Sequence, residues 1–232
     1  MELRGPIIDA VWASDGSWPD DLRILPDGGA DLIWTGDALV VAGPDRAARM
    51  VRRPPSMPPA CGVRFLPGAA RLAFGWSGEA LVDTTVPAAE VLGERAADDL
   101  TRRLAGAPPD GRPRLLAGWA VSDRRSRDHR DPVVAHVART LRADPSRRVA
   151  ELAGEVGYSE RQLRRRVQTE VGYPPKLLAR ILRLRRAVEI AGADPAVSLA
   201  DTAAAAGYVD QAHLGHEVAA LADTTPAMLL HR

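Results

Sequence analysis

Three arginines recur at helical spacing in a short segment that begins at Ser159 and carries Gln162 three residues later. A serine followed at that spacing by a glutamine is a capping box, so a helix is predicted to start at Ser159. Arg161, Arg164 and Arg165 then share the solvent-facing side of that helix. Because arginine can donate two hydrogen bonds to O6 and N7 of guanine, such a helix is suited to reading bases in the major groove of DNA.

The arginine segment is the second half of a two-helix pattern that occurs twice, at residues 152–167 and at residues 202–218. In each copy an alanine lies four residues before a Gly-Tyr pair. Gly157 and Gly207 are expected to adopt the positive φ that a tight turn between two helices requires. A leucine in each second helix is expected to anchor it against the first. The sequence therefore predicts an internal repeat of a helix-turn-helix unit.

Charge is unevenly distributed along the chain, although the formal net charge of its 232 residues is only +1. Residues 130–189 contain 14 basic and 7 acidic side chains, whereas residues 190–232 contain one basic and five acidic side chains. A basic block of this kind favours a polyanionic partner such as double-stranded DNA. The alternative is a solvated basic face on an ordinary helical bundle, which the coincidence of charge, glycine turn and repeat disfavours.

Every periodic segment after Pro132 is predicted to be helical. A Pro-Pro pair precedes a long helix expected over residues 176–191, which at about 1.5 Å per residue spans roughly 24 Å. With its flanking turns, that helix is long enough to hold two recognition helices about one turn of DNA apart, ~34 Å. Lys176 and Arg180 near its start are expected to contact phosphates, which fix register without reading sequence.

The first half of the chain is rich in turn residues that separate short apolar runs, such as residues 31–34 and 38–41. This pattern predicts short strands and hairpins, and a helix is expected at residues 90–105. A polar stretch ending at Pro132 predicts a linker or exposed loop. We therefore expect an α+β chain in three parts: a small β-containing domain with helices at residues 1–121, a linker at 122–132, and an all-α domain at 133–232 with two helix-turn-helix units joined by a long helix.

The C-terminal half resembles the AraC/XylS family of transcription regulators. The resemblance rests on LAGEVGYSERQLRRRV, on GYPPKLLARILRLRRAVEIA, and on AGYVDQAHLGHEV followed by Thr-Pro. It implies a sequence-specific regulator with one recognition helix at about residues 159–167 in the major groove and a weaker one at about 211–221. The predicted DNA-binding residues are Ser159, Arg161, Gln162, Arg164, Arg165, Lys176, Arg180, Gln211, His213 and His216.

The second unit departs from the family pattern. His216 stands where an Arg or Lys is usual, Val218 where a bulky aromatic is usual, and Asp223 where a glycine precedes Thr-Pro. We therefore expect this unit to bind DNA weakly or to serve mainly for packing. A second hypothesis stays open: a small-molecule sensor or protein-interaction module whose DNA-binding domain is degenerate.

The N-terminal residues also resemble part of this family. LPDGGADLIW (residues 25–34) and GVRFLPGAARLAF (residues 62–74) are similar to the N-terminal domain of a subgroup of these regulators. That likeness implies a small domain like part of a cupin, which senses a small-molecule effector or forms a homodimer. Five tryptophans precede the linker and either line an apolar pocket or pack in a core. The predicted pocket residues are Trp34, Arg64, Phe65 and Trp76.

Catalytic and metal-binding patterns are missing from the sequence, so no enzyme activity and no cofactor are predicted. His213 and His216 lie three apart and form at most half of a metal site. Cys61, the single cysteine, is expected to be a small buried hydrophobe, or alternatively a redox sensor with a thiol pKa lowered by Arg64. The chain begins without an apolar leader and lacks a run long enough to span a membrane. The expected location is the cytoplasm.

Overall fold

The computed structural model describes residues 7–16, 21–52, 58–122 and 130–230. An antiparallel sheet of five strands lies in the first half, in the order β1-β6-β3-β4-β7, and a second sheet pairs β2 with β5. The strands are β1 (Ile8–Ala13), β2 (Asp21–Ile24), β3 (Ala30–Trp34), β4 (Leu39–Ala42), β5 (Arg49–Arg52), β6 (Cys61–Phe65) and β7 (Thr85–Pro87). The expected strands at 31–34 and 38–41 are confirmed and form a hairpin.

Helices follow the sheet and then make up all the regular structure of the second half. They are α1 (Ala70–Phe74), α2 (Gly78–Leu81), α3 (Ala88–Leu92), α4 (Glu94–Gly106), α5 (Arg112–Ser122), α6 (Pro132–Ala143), α7 (Val149–Glu155), α8 (Glu160–Val171), α9 (Pro175–Ala193), α10 (Leu199–Ala206), α11 (Gln211–Ala222) and α12 (Pro226–Leu230). The α+β fold class is confirmed. The single helix expected at 90–105 is wrong, because Gly93 at φ 83° breaks it into α3 and α4.

Two hydrophobic cores form, one from residues before 122 and one mainly from residues after 130. We refer to residues 7–122 as the N-terminal region and residues 130–230 as the C-terminal region. The predicted linker at 122–132 falls between them, with residues 123–129 outside the described part of the chain. Among the described residues, no helix has the length and apolar character that crossing a bilayer requires.

Strand alternation gives the five-stranded sheet two different faces. Leu32, Trp34 and Phe65 point to one face and are at most 1% exposed, in the core that the sheet shares with α1, α4 and α5. The ring of Phe65 meets the ring of Phe74 edge to face, with 5.1 Å between the ring centroids. The intervening residues of the same strands face the other way, toward the small sheet and α9.

Two helix pairs, α7–α8 and α10–α11, flank the long helix α9. Gly157 and Gly207 take φ values of 72° and 87° in the turns, as the repeat predicted. Leu163 and Leu214 are fully buried, so the expected anchors are confirmed. Helix α9 buries eight of its residues. Its hydrophobic positions lie on more than one side because other elements pack around it. It is the central element of the C-terminal region.

A buried carboxylate joins the two regions. Asp9 in β1 has a side chain only 4% exposed and accepts from Arg142 of α6 at 2.5 Å and from Arg185 of α9 at 2.7 Å. These bonds hold the pKa of Asp9 below its usual range even though burial opposes ionisation. One sheet residue therefore binds two helices of the other region.

Replacing Asp9 by asparagine is expected to lower the free energy of unfolding by on the order of 2 kcal/mol. The variant keeps the shape of the side chain but removes the carboxylate charge that Arg142 and Arg185 share, and leaves Arg185 with only the exposed Glu189 as an ion-pair partner. Urea unfolding of the full chain measures the change. The matched control is Asp99→Asn in α4, whose carboxylate is 56% exposed and pairs with Arg102, so its loss is expected to be below about 1 kcal/mol. Equal effects of the two substitutions would contradict the assigned role of Asp9.

Candidate nucleic-acid interface

Helix α8 begins with the predicted capping box. The Ser159 hydroxyl accepts from the backbone N–H of Gln162 at 3.3 Å, and the Gln162 side-chain oxygen accepts from the backbone N–H of Ser159 at 3.0 Å. Both side chains are thus used to fix the start of the helix. Arg161, Arg164 and Arg165 follow on the exposed face. Within the described residues, none of these three guanidiniums has a hydrogen-bond or ion-pair partner.

The neighbouring arginine has a different role. Arg166 binds the Asp131 carboxylate and donates to the Tyr158 hydroxyl at 2.8 Å. Asp131 is also the N-cap of α6, where it accepts from two backbone N–H groups. Arg166 therefore ties α8 to α6, while its three neighbours leave their charge available to an external partner.

The second unit presents no cation at the equivalent positions. Asp210 caps α11 by accepting from the N–H of His213, so it corresponds to Ser159 in α8. Counting from the two caps, Ala212, Gly215 and His216 stand where α8 carries its three free arginines. Gln211 and His216 are exposed on this helix. The two units share a backbone plan, but the exposed positions that are cationic in α8 are occupied by uncharged residues in α11.

His213 is turned back toward its own helix start. Its Nδ1 lies 3.4 Å from the backbone nitrogen of Val209, and its ring meets the ring of Tyr208 edge to face. Among the described residues no cluster of metal-ligating side chains is present, and His213 and His216 do not join one. The geometry assigns His213 to the turn of the unit.

The two basic residues near the start of α9 also differ. Lys176 is exposed, whereas the Arg180 Nε donates to both carboxylate oxygens of Glu217 in α11, at 2.9 and 3.0 Å. Arg183 donates to the carbonyl of Pro145 and lies over the ring of Tyr208. Only Lys176 of these three keeps its charge toward solvent, so the α9 arginines mainly hold the bundle together.

The N-terminal region contacts the end of the first recognition helix. Arg71 of α1 donates to both carboxylate oxygens of Glu170, at 3.0 and 3.1 Å. Gly78 of α2 lies so close that an added Cβ would come within 2.5 Å of the Glu170 carbonyl oxygen. Glu79 follows and borders, with α8, a groove of about 700 Å³ whose other wall carries the three free arginines. A carboxylate of one region therefore lies beside the basic face of the other.

The end of the second recognition helix is contacted as well. The Arg23 guanidinium in β2 donates to the carbonyl oxygens of Ala222 and Asp223, the latter at 2.8 Å. The N–H of Ala48 donates to the carbonyl of Leu221 at 2.7 Å. Cations and donors are favourable at a helix C-terminus, where carbonyl groups lack intrahelical partners. The N-terminal region thus holds the C-terminal ends of both recognition helices.

A cavity of about 530 Å³ lies between the two sheets and α9. Apolar side chains from each wall line it, including Trp12, Ile33 and Leu184. Of the four predicted pocket residues, only Arg64 lines this cavity. The prediction that Trp34, Phe65 and Trp76 line a pocket together with Arg64 is wrong for this cavity. Trp34 and Phe65 lie on the opposite face of the sheet, because side chains alternate along a strand. Trp76 is 37% exposed in the turn between α1 and α2.

The polar wall of the cavity is built around Arg64. Its Nη1 lies 2.8 Å from Asp27 and its Nε lies 3.2 Å from Asp31. Trp12, which sequence reasoning left among five undifferentiated tryptophans, donates its Nε1–H to Asp31 at 2.9 Å. Burial, opposed by the charge of Arg64, raises the pKa of Asp27 to about 6. The available signal in the sequence was Asp31, a charged residue in the otherwise apolar strand β3.

Cys61 lies on the core face and is 3% exposed. Burial raises the pKa of its thiol to about 11. This confirms the buried small hydrophobe and overturns the redox-sensor alternative, which needed a lowered pKa. Arg64 does not activate the thiol because it extends from the other face of β6.

Comparison with known families agrees with the two halves of the fold. Residues 152–232 match a family described as a helix-turn-helix domain, and residues 5–87 match a family described as a domain of unknown function, DUF6597. A search among curated proteins finds no match to the chain. Helix-turn-helix domains are DNA-binding modules.

Solved structures of ToxT from Vibrio cholerae are similar over most of the chain. A P21 crystal form has 8% identity and a TM-score of 0.48, covering 95% of this chain and 93% of ToxT. The structure bound to (E)-4-(8-methylnaphthalen-1-yl)but-3-enoic acid has 8% identity and a TM-score of 0.49, covering 96% of this chain and 98% of ToxT. At these values the likeness carries no argument about ligand or function.

The stability of the chain is expected to depend on the ionisation of Asp27. Its carboxyl binds a proton more tightly when folded, with a pKa of about 6 against 3.8 for the free group. Its contribution to stability is therefore complete below pH 3.8 and is lost as the pH rises through 6. Urea unfolding across this range should show that wild type loses stability relative to Asp27→Asn as the pH rises from 3.8 through 6. A constant difference would show that the proton affinity of Asp27 is the same in both states.

Proposed function

We propose that this chain is a sequence-specific DNA-binding transcription regulator. The proposal takes residues 152–232 as the helix-turn-helix domain of an AraC/XylS-type regulator. The observation that carries the proposal is the exposed arginine trio Arg161, Arg164 and Arg165, which has no partner among the described residues although nearby arginines are paired. Three unpaired cations on one short helix face repel one another and are best satisfied by a polyanion.

In this proposal α8 enters the major groove and the arginine trio contacts base edges or flanking phosphates. Ser159 and Gln162 lie at the same end of the helix, where they preserve the cap and border the interface. Lys176 contacts a phosphate and sets the register of the helix on the duplex. Arg180 acts indirectly, since its ion pair with α11 fixes how that helix leans on α9.

Helix α11 is proposed to contribute less to affinity than α8. Gln211 and His216 are its exposed hydrogen-bonding groups, and glutamine suits adenine N6 and N7. Ala212 and Gly215 offer only small surfaces to the groove. His213 supports the turn and is proposed to act without touching a base. The DNA site is therefore expected to be asymmetric, with one half read through arginine and the other through neutral groups.

Residues 1–121 are proposed to sense an effector in the cavity behind the sheet, with 122–132 as the linker to residues 133–232. The cavity is of a size typical for small-molecule sites. One of its walls is α9, and Arg23, another lining residue, also binds the end of α11. A bound effector would therefore touch the elements that position the DNA-reading helices, which is what ligand control of DNA binding requires.

A second candidate function is a sensor or interaction module with a degenerate DNA-binding domain. The neutral face of α11 is the observation that favours it. The two functions differ in one measurement, the preference of the purified full chain among genomic DNA fragments. Enrichment of a shared motif supports the regulator, whereas binding without sequence preference selects the alternative.

Replacing Arg165 by alanine is expected to cost about 1–3 kcal/mol of DNA-binding free energy and to relax specificity at one base pair. The duplex is one enriched from genomic fragments, and affinity is measured by fluorescence anisotropy over a series of salt concentrations. Arg95→Ala, which removes an equally exposed cation from α4, is the matched control and should leave affinity within about twofold. If both variants bind with unchanged affinity and specificity, α8 is not the reading helix.

Replacing Glu79 by glutamine is expected to tighten DNA binding by about threefold at low salt. The carboxylate borders the groove of the arginine trio, so it partly offsets their attraction for phosphate. The gain should vanish at high salt because the interaction is between exposed charges. Glu94→Gln, an equally exposed carboxylate at the start of α4, is the control. A gain that is the same for both variants would reflect net charge alone.

A further inference from the structure

The cavity between the sheets and α9 has an uneven charge distribution that defines a ligand class. Asp27 and Asp31 both pair with the single guanidinium of Arg64. Within this cluster, two ionised carboxylates and one guanidinium leave one negative charge, and no other arginine that lines the cavity forms an ion pair with Asp27 or Asp31 in the described part of the chain. Such a charge is costly unless a cation joins it.

The other cations that line the cavity are already engaged. Arg23 binds the main-chain carbonyls at the end of α11, and Arg185 binds Asp9. Arg49 faces Asp45 at 3.7 Å, and the side chain of Asp45 is only 10% exposed. Arg49 keeps one buried Nε without an acceptor among the described residues. An anionic ligand could approach that N–H or the charge of Arg23, but at the Asp27–Asp31 end of the cavity it would meet two carboxylates.

The aromatic wall lies directly beside the surplus carboxylate. Trp12 is held across Gly62, where an added Cβ would come within 2.5 Å of the indole ring. The indole N–H binds Asp31, so the ring and the carboxylate are neighbours in the cavity. A carboxylate at the edge of an indole ring is a favourable environment for an ammonium group, which can pair with the carboxylate and also approach the ring face by cation–π attraction.

The remaining wall is apolar. Leu22, Ile24 and Ile33 contribute from the strands, and Leu184 and Val188 contribute from α9. This surface would contact the hydrocarbon part of a ligand. The end of the cavity at Asp27 and Asp31 would bind its charged head group. The volume of about 530 Å³ suits a molecule of drug-like size.

We propose that this cavity binds an organic amine: a protonated amino group directed at Asp27 and Asp31, joined to an apolar body that lies between Trp12 and helix α9. The inference rests on the proposed function only in taking the cavity as the effector site. The raised pKa of Asp27 is that of a buried carboxyl group whose ionised form a bound ammonium group would stabilise. Binding should hold Asp27 ionised and thus weaken as the pH falls below 6.

The test uses full-length protein and two series of probes that differ only in their head groups. The first is phenethylamine, phenylpropionate and phenethyl alcohol, and the second is hexylamine, heptanoate and hexanol. Isothermal titration calorimetry and the thermal unfolding midpoint report binding. The amine of each series is expected to bind at least about tenfold more tightly than its partners, since a charge-assisted hydrogen bond is lost with the other heads.

Two variants locate the binding. Asp27→Asn is expected to reduce amine affinity by at least about tenfold while leaving the weak binding of the alcohol unchanged, which also shows that the variant is folded. Ile33→Trp fills the cavity and is expected to abolish both. Tighter binding of either carboxylate, absence of amine binding in both series, or amine binding that survives both variants would overturn the proposal.

DNA binding without any probe is measured in parallel, which separates this inference from the proposed function. If amines fail to bind while a DNA motif is enriched, the regulator stands and the ligand class is wrong. If amines bind but no motif is enriched, the ligand class stands and the regulator is wrong.

Discussion

The position of helix α9 is the constraint on which the rest of this structure depends. It buries eight residues, and these positions serve the packing of both helix-turn-helix units. Leu184, Arg185 and Val188 of the same helix form one wall of the cavity. Because a packed helix cannot shift one face without moving the other, the cavity and the two helix-turn-helix units share a single rigid element.

The ion pairs around α9 divide its arginines between the two regions. Arg180 binds α11, and Arg185 binds Asp9 of the sheet. In each of these ion pairs the arginine charge is neutralised within the protein, and the arginine connects α9 to the element that carries its partner. Much of the basic block seen in the sequence is therefore paired within the protein, whereas the arginines on the exposed face of α8, together with Lys176 and Arg186 of α9, are exposed cations without an ion-pair partner in the described part of the chain.

The N-terminal region contacts the C-terminal ends of α8 and α11, the second helices of the two helix-turn-helix units. It reaches α8 through Arg71 and Gly78, and α11 through Arg23 and Ala48. These contacts fix the two helices relative to the sheet. A change in the distance between the sheets would move the helix ends with it, whereas a free linker would transmit nothing.

The sequence by itself determined the local elements of the helix-turn-helix units. The cap at Ser159, the turns at Gly157 and Gly207 and the buried leucines depend on residues within one or two helical turns, so their spacing was sufficient. The hydrophobic periodicity also predicted one helix where the structure has α3 and α4. The positive φ of Gly93, which separates them, leaves no signal in the spacing of apolar residues.

Only the tertiary structure decided which charges are free and which residues share a cavity. Arg185 meets Asp9 across 176 residues of sequence, and Arg166 meets Asp131 across 35. The tryptophan-rich pocket expected from the sequence grouped Trp34 and Phe65 with Arg64, although strand alternation sends Phe65 and Arg64 to opposite faces. Helical caps depend on neighbouring residues and can therefore be predicted from the sequence. Ion pairs and cavity walls depend on how distant segments pack, and local residue spacing does not encode that packing.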